Sequence, residues 1–208
     1  MIQFTAADIL AMAQRKRATF INSLAGIKQV ALVGTQNQLG EPNLAIFNSV
    51  VHVGANPPLW GLIFRPDTVR RDTLNNILTQ QEYTINYVHT KHVAQAHQTS
   101  AKYETHQSEF DAVGFEKTYL PNFNAPFVHE AMVKVGLKFE ERIDIKVNNT
   151  IMIIGSIQSI TLNENLLADD GFVLLNEVLT CSGLDAYYQP QLIKRMAYAQ
   201  PHQLPTEL

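Results

Sequence analysis

The chain has 208 residues, 46% of them hydrophobic, with a formal net charge of −3. That length suits one domain with a sizeable core, and the slight negative charge argues against nucleic acid or an anionic membrane surface as partner. Cys181 is the single cysteine, which excludes an intrachain disulfide and any thiolate cluster for a metal.

No apolar stretch approaches the roughly 20 residues that span a bilayer. At the start, the basic cluster follows the apolar part, the reverse of a secretory signal. Both features predict a cytoplasmic protein. The first element reads as an amphipathic helix over residues 5–24: Ile9, Leu10, Ala13, Phe20, Ile21 and Leu24 recur near helical spacing, with Thr5 placed to cap it.

Short strands come next. "QVALVGT" is followed by a polar turn with Gly40 and Pro42, then by "LAIFNSVVHV", read as one strand over residues 44–53. "GANPP" breaks the pattern, because prolines cannot sit in a central ladder. "LWGLIF" does not alternate, which predicts burial on both faces. A short helix carrying Leu74, Ile77 and Leu78 leads to the strand "YTINYV", and a polar helical region over 91–114 ends at Gly114. "LPNFNAP" reads as a loop. Two long strands, 132–147 and 150–162, meet at a hairpin turn at Asn148 and Asn149. "GFVLLNEVLTCSG" supplies one more strand, and the tail from about residue 199 reads as loose. Many short strands with a few inserted helices predict a mainly β, antiparallel barrel in a single domain over 1–208: an N-terminal helix to residue 25, a core over 26–198 and the tail.

Two stretches stand out chemically. "RPDTVRRDTLNNIL" places Arg65, Arg70 and Arg71 beside Thr68, Asp72 and Thr73 where a helix begins. A helix start offers unpaired N–H groups and partial positive charge, and arginine's planar fork meets two phosphate oxygens at once. The aspartates would cap the helix and hold an arginine. The alternative is a solvated loop in which Asp67 and Asp72 only neutralise their neighbours, and the pattern leaves both open. In "AIFNSVV", Asn48 and Ser49 interrupt an apolar run. Either they meet a planar polar ligand rimmed by Phe47, or they form a tight bend between strands.

The remaining chemistry is thinner. His89, His92, His97 and His106 lack a completing ligand set, and a solvated polar helix accounts for them better than a metal. Cys181 reads as a buried small hydrophobe and Trp60 as core.

In order and spacing, "VALVGT", "GEPN", "LAIFNSVVHVGANPP", "RPDTVRRDTLNNI", "EYTINYV", "SEFDAVGF", "APFVHEA", "TIMIIGSI" and "DAYY" resemble the flavin reductase-like, FMN-binding split-barrel family, over about residues 26–198. The resemblance implies a six-stranded antiparallel split barrel that forms a homodimer, with FMN near the subunit interface. It implies Phe47, Asn48 and Ser49 along the flavin ring, and Arg65, Thr68, Arg71, Asp72 and Thr73 at the phosphate. Ser100 and Tyr188 would approach the partner's flavin. The implied activity is FMN-dependent oxidoreduction of flavin-reductase type, with NAD(P)H donating hydride. One departure counts against ordinary reductase chemistry: Asn148 and Asn149 stand where short members of the family commonly carry Gly-Asp-His. A non-reductase FMN protein, an electron carrier or flavin store, is the alternative.

Overall fold

In the computed structural model, which describes residues 1–104 and 106–208, the single N-terminal helix expected from the sequence is two. Helix α1 (Ala6–Ala11) ends at Met12, whose ψ of 143° is extended, and α2 (Gln14–Leu24) follows. The break has a visible cause: Arg17 donates from Nη1 to the Leu10 and Met12 carbonyls, which would otherwise continue the helix. Thr5 caps α1 as expected, in a reciprocal exchange with Asp8.

The strands are β1 (Lys28–Gln29), β2 (Ala31–Gln36), β3 (Pro42–Phe47), β4 (Val50–Ala55) and β5 (Pro58–Phe64). Helix α3 (Asp72–Gln80) precedes β6 (Glu82–Tyr87). The polar region expected to be helical holds two short helices, α4 (Val93–Gln98) and α5 (Glu109–Val113). Gly114 stops α5 with a φ of 75°, and its N–H bonds the Phe110 carbonyl. Strands β7 (Lys117–Thr118), β8 (Phe127–Val128), β9 (Val133–Ile145), β10 (Thr150–Leu162), β11 (Thr180–Ser182) and β12 (Ala186–Tyr188) complete the order. Of "GFVLLNEVLTCSG", only Thr180–Ser182 is a strand. The tail folds back on itself, the Ala197 N–H bonding the Thr206 carbonyl at 2.9 Å.

Seven strands form one antiparallel sheet in the order β3-β2-β6-β9-β10-β5-β4. Its two edges are consecutive in the chain, joined only by Asn48 and Ser49. The run read as one strand therefore gives its first half to β2 and its second half to β5. Counted as one strand it restores the six of a split barrel. The interruption at Asn48 and Ser49 is thus a bend between strands, the bland alternative considered for it.

Inside the barrel, Leu62, Phe64, Ile85, Val135, Leu137 and Ile153 form the main core, and α3 adds Leu74 and Ile77. Trp60 packs against this core and stacks on Tyr87. A second cluster, including Leu32, Leu44, Phe110 and Cys181, lies beneath α4 and α5. The β9–β10 hairpin forms as expected, but Ile145 pairs with Thr150, so its turn takes residues 146–149 and not the two asparagines alone. Asn149 adopts a φ of 58°, and Asn148 Oδ1 accepts from the Thr150 N–H at 3.2 Å and hydroxyl at 2.8 Å.

Tyr83 is fully buried, yet its hydroxyl lacks a partner. Gly155 makes the room for it, because a Cβ there would overlap that hydroxyl. We expect Gly155→Ala to destabilise by about 1–3 kcal/mol through overpacking. Tyr83→Phe, which removes an unsatisfied buried group, should be neutral or stabilising by up to about 1–2 kcal/mol. The double variant should recover only part of the alanine's cost, because ring carbons of residue 83 still lie 2.9–3.0 Å from the added Cβ, and urea unfolding of all four proteins measures this.

Candidate functional site

At the bend, Phe47 packs edge-on against Phe64 with ring centroids 4.9 Å apart. Asn48 is half-buried, and its Nδ2 donates to the Gly183 carbonyl at 2.6 Å and to Cys181 Sγ at 3.4 Å. Ser49 donates its hydroxyl back to Asn48 Oδ1 at 3.2 Å. Both amide hydrogens of Asn48 are thus spent within the chain, tying the bend to the β11–β12 hairpin. The thiol beneath is inert in kind: Cys181 is buried, and that burial pushes it up from its ordinary value.

The arginine-rich stretch lies near the other end of β3. Thr73 is buried, and Asn43 Nδ2 donates to its hydroxyl at 3.0 Å and to that of Thr35 at 3.3 Å. Asn76 donates to the same Thr35 hydroxyl at 3.1 Å. This cluster pins the start of α3 onto β2 and β3. Sequence reasoning missed Asn43, Thr35 and Asn76, whose pairing spans up to 41 residues. Their one visible signal was polarity at positions inside two strands and a helix.

Helix α3 opens in an unusual way. Its N-cap is Arg71, with no side-chain capping bond, where an acceptor such as Ser, Thr or Asp is the rule. Asp72, expected as the cap, is the first helical residue and binds Arg70 Nε at 2.6 Å instead. Arg71 donates from Nη2 to the Pro66 carbonyl at 3.2 Å, while its Nε is buried with no partner. No ion pair joins Arg71 to Asp67 or Asp72 among the described residues, so the neutralised-loop alternative holds for Arg70 and fails for Arg71. Arg65 and Thr68 are exposed, and Thr68 lines an open groove of about 360 Å³ with Pro66, Asp67, Lys146, Asn149 and Thr150.

The two clusters share β3, with roughly 16 Å of extended strand between Asn43 and Asn48. Ser100 and Tyr188 are exposed and hydrogen-bond to neither cluster through their side chains among the described residues. The hairpin beside Asn48 does reach α4 through Tyr187, whose hydroxyl lies 2.8 Å from His97 Nδ1. Among the described residues no group of three or more ligating side chains could hold a metal ion, and no helix is long and apolar enough to cross a membrane.

The two clusters thus lie toward opposite ends of one edge strand, aromatic at one end and cationic at the other. A family model for the flavin reductase like domain covers residues 27–179. The chain belongs to the flavin reductase-like family. A protein from Shewanella frigidimarina NCIMB 400, assigned as a flavin reductase with a split-barrel domain, is 43% identical, with a TM-score of 0.92 over 96% of this chain and 100% of that one. Nitrilotriacetate monooxygenase component B from Bacillus cereus shares the fold at 18% identity and a TM-score of 0.81, over 92% and 96% of the two chains. Flavoredoxin of Desulfovibrio vulgaris (Miyazaki F) does so at 21% and 0.69, over 85% and 91%. No curated protein matches the chain.

Glu109 completes the electrostatics. Its Oε2 accepts the Leu44 N–H at 3.0 Å, covering the open edge of β3. Burial raises its carboxyl above the usual value of 4.5, with the Leu44 bond opposing and Asp72 adding to the shift. A raised carboxyl means the folded state holds more protons, so its contribution is fully present below the ordinary value and is lost as pH climbs past it. Glu109→Gln keeps the acceptor and removes the charge. The variant should be at least as stable as wild type at pH 7, with its relative advantage shrinking as pH falls through 4.5 in unfolding measurements.

Proposed function

We propose that the protein is an FMN-dependent oxidoreductase of flavin-reductase type that accepts hydride from NAD(P)H and works as a homodimer. The observation that carries the phosphate assignment is the start of α3: an uncapped helix end whose cap position holds an arginine with a buried, unpaired Nε. Orphan N–H donors and an arginine fork are anion ligands by construction. Arg71, Thr68 and Thr73 would hold the phosphate, with Arg65 reaching from the rim and Asp72 keeping Arg70 in place. Phe47, Asn48 and Ser49 belong to the ring end, where Asn48 fixes the shape of the bend. Ser100 and Tyr188 belong to the partner's site. Bound there, the flavin supplies the redox chemistry, and the chain supplies position and electrostatics.

The sheet itself supports the dimer. Cross-strand pairing puts Val51, Gly61, Ile63, Ile154, Met152 and Ile143 on one face, opposite the core face. Val51 is 41% exposed and Ile143 40%. Strands apolar on both faces need cover on both. A second copy supplies it reciprocally through an isologous contact.

A second reading, a flavoprotein that is not a reductase, draws on the β9–β10 turn. Asn148 there is committed to Thr150, and no histidine stands in its place.

We expect FMN to bind at least about tenfold more tightly than riboflavin, since charge-assisted bonds contribute about 1.5–3 kcal/mol each. Arg71→Ala should weaken FMN by roughly thirtyfold and Arg71→Lys by less, in calorimetric titration at matched salt. Equal affinities across all three proteins would place the phosphate elsewhere. Anaerobic NADH or NADPH should bleach the yellow holoprotein; a flavin that stays oxidised selects the second reading. Ile143→Glu should shift the holoprotein from dimer to monomer in sedimentation without unfolding it.

A further inference from the structure

Helix α2 has little reason to exist on its own. It lacks a side-chain cap, has no acid in its first turn and no base in its last. Arg15, Lys16 and Arg17 instead occupy the first turn, the end where the helix dipole disfavours cations. Helices this short are marginal in water and take their stability from packing. Yet no residue of α1 or α2 is buried. Leu10 is 71% exposed and Leu24 66%, and Ile21 and Ile27 are exposed with them.

The arm meets the body at its root. Ser182 donates its hydroxyl to the Ser23 carbonyl at 3.1 Å, and β1 pairs with β11. That root adjoins Gly183, whose carbonyl receives the Asn48 amide. Asn48 in turn leads directly into β4 and the exposed apolar face. The arm is therefore rooted at the margin of the face already assigned to a second copy, and its cations are a local excess on a chain of net charge −3. The complement is present on that same face: Glu141 pairs across to Ile154 among the apolar residues, is exposed, and has no ion pair among the described residues.

We propose that residues 1–27 form an intersubunit clasp: α2 docks its apolar side on the second copy, with Lys16, at the edge of that side, set against that copy's Glu141 margin. This rests on the dimer reading above. Because the clasp is rooted on the hairpin that ties Asn48, its docking steadies the ring end of the flavin site in its own subunit.

The test uses two full-chain holoprotein variants in sedimentation equilibrium. Ile21→Glu with Leu24→Glu should raise the dimer dissociation constant at least about tenfold, as for loss of buried interface anchors. Lys16→Glu improves the match to the helix dipole, so an undocked arm would gain helix from it. Docked on an acidic margin, it should instead weaken the dimer, and more so at low salt. Amide exchange over residues 14–24 should show protection at high concentration that is lost on dilution. A wild-type dimer whose dissociation constant both variants leave unchanged overturns the clasp and leaves the dimer reading standing. A monomeric wild type overturns both. Unfolding midpoints of the variants at monomer concentrations, expected at the wild-type value, exclude misfolding as the cause.

Discussion

The fold turns on one constraint: a sheet closed on itself must hand a strand from one edge to the other, and here two residues do it. Phe47 still belongs to the pairing with β2, and Val50 already pairs with Leu62 of β5. Between them the backbone has no regular ladder, so its polar groups need other partners or cost free energy. The Ser49 carbonyl takes the Ile63 N–H at 3.0 Å, and the Asn48 side chain binds the Gly183 carbonyl. A residue more than 130 positions away thus fixes the place where the barrel splits. The C-terminal hairpin is part of the barrel's closure and not an appendage to it.

The same logic explains why the polar residues of the site divide into two kinds. Asn48, Asn43, Thr35 and Asn76 are satisfied within the chain and rigidify their surroundings, as fully paired buried networks do. Arg71 is the exception. Its Nε is orphaned at a helix start that has no side-chain cap, so local stability has been left unclaimed at that point. Sites for ligands are expected where a chain breaks its own rules of satisfaction without compensation. An anion at α3, as proposed, would satisfy the helix end and the arginine together, whereas a serine at position 71 would satisfy the helix alone.

What the sequence made legible was local. Alternation and turn chemistry located the long strands, Gly114 marked a helix end, and the order of motifs carried the family. Three features escaped for a shared physical reason. The break at Met12 depends on where Arg17 sends its guanidinium, and the split at Asn48 depends on which neighbours each half-strand finds. The cap at Arg71 violates the propensity that pointed to Asp72. Each is decided by which partner a donor or strand finds, near or far along the chain, and periodicity does not encode that choice. The Asn48–Ser49 interruption shows the limit well: a polar pair in an apolar run signals that something happens there, without saying whether a ligand or a bend is the cause.

The lack of alternation in "LWGLIF" predicts burial on both faces, and Gly61 and Leu62, on opposite faces, are both buried, yet the nearby strands β4 and β9 leave Val51, Val53 and Ile143 at 40–45% exposure on the face away from the core. An apolar face left open in this way is where the proposed second copy would sit. Sequences record the burial a residue experiences in its working assembly, so a run that looks overcommitted to apolar character measures what the single chain lacks. The N-terminal helices make the same statement in another form, since their apolar side has no counterpart within the chain. Both shortfalls flank the bend at Asn48, one through β4 and one through Gly183. A partner that relieves them would bear on the geometry of that bend, which would make assembly and the proposed ring end of the site parts of one structural problem.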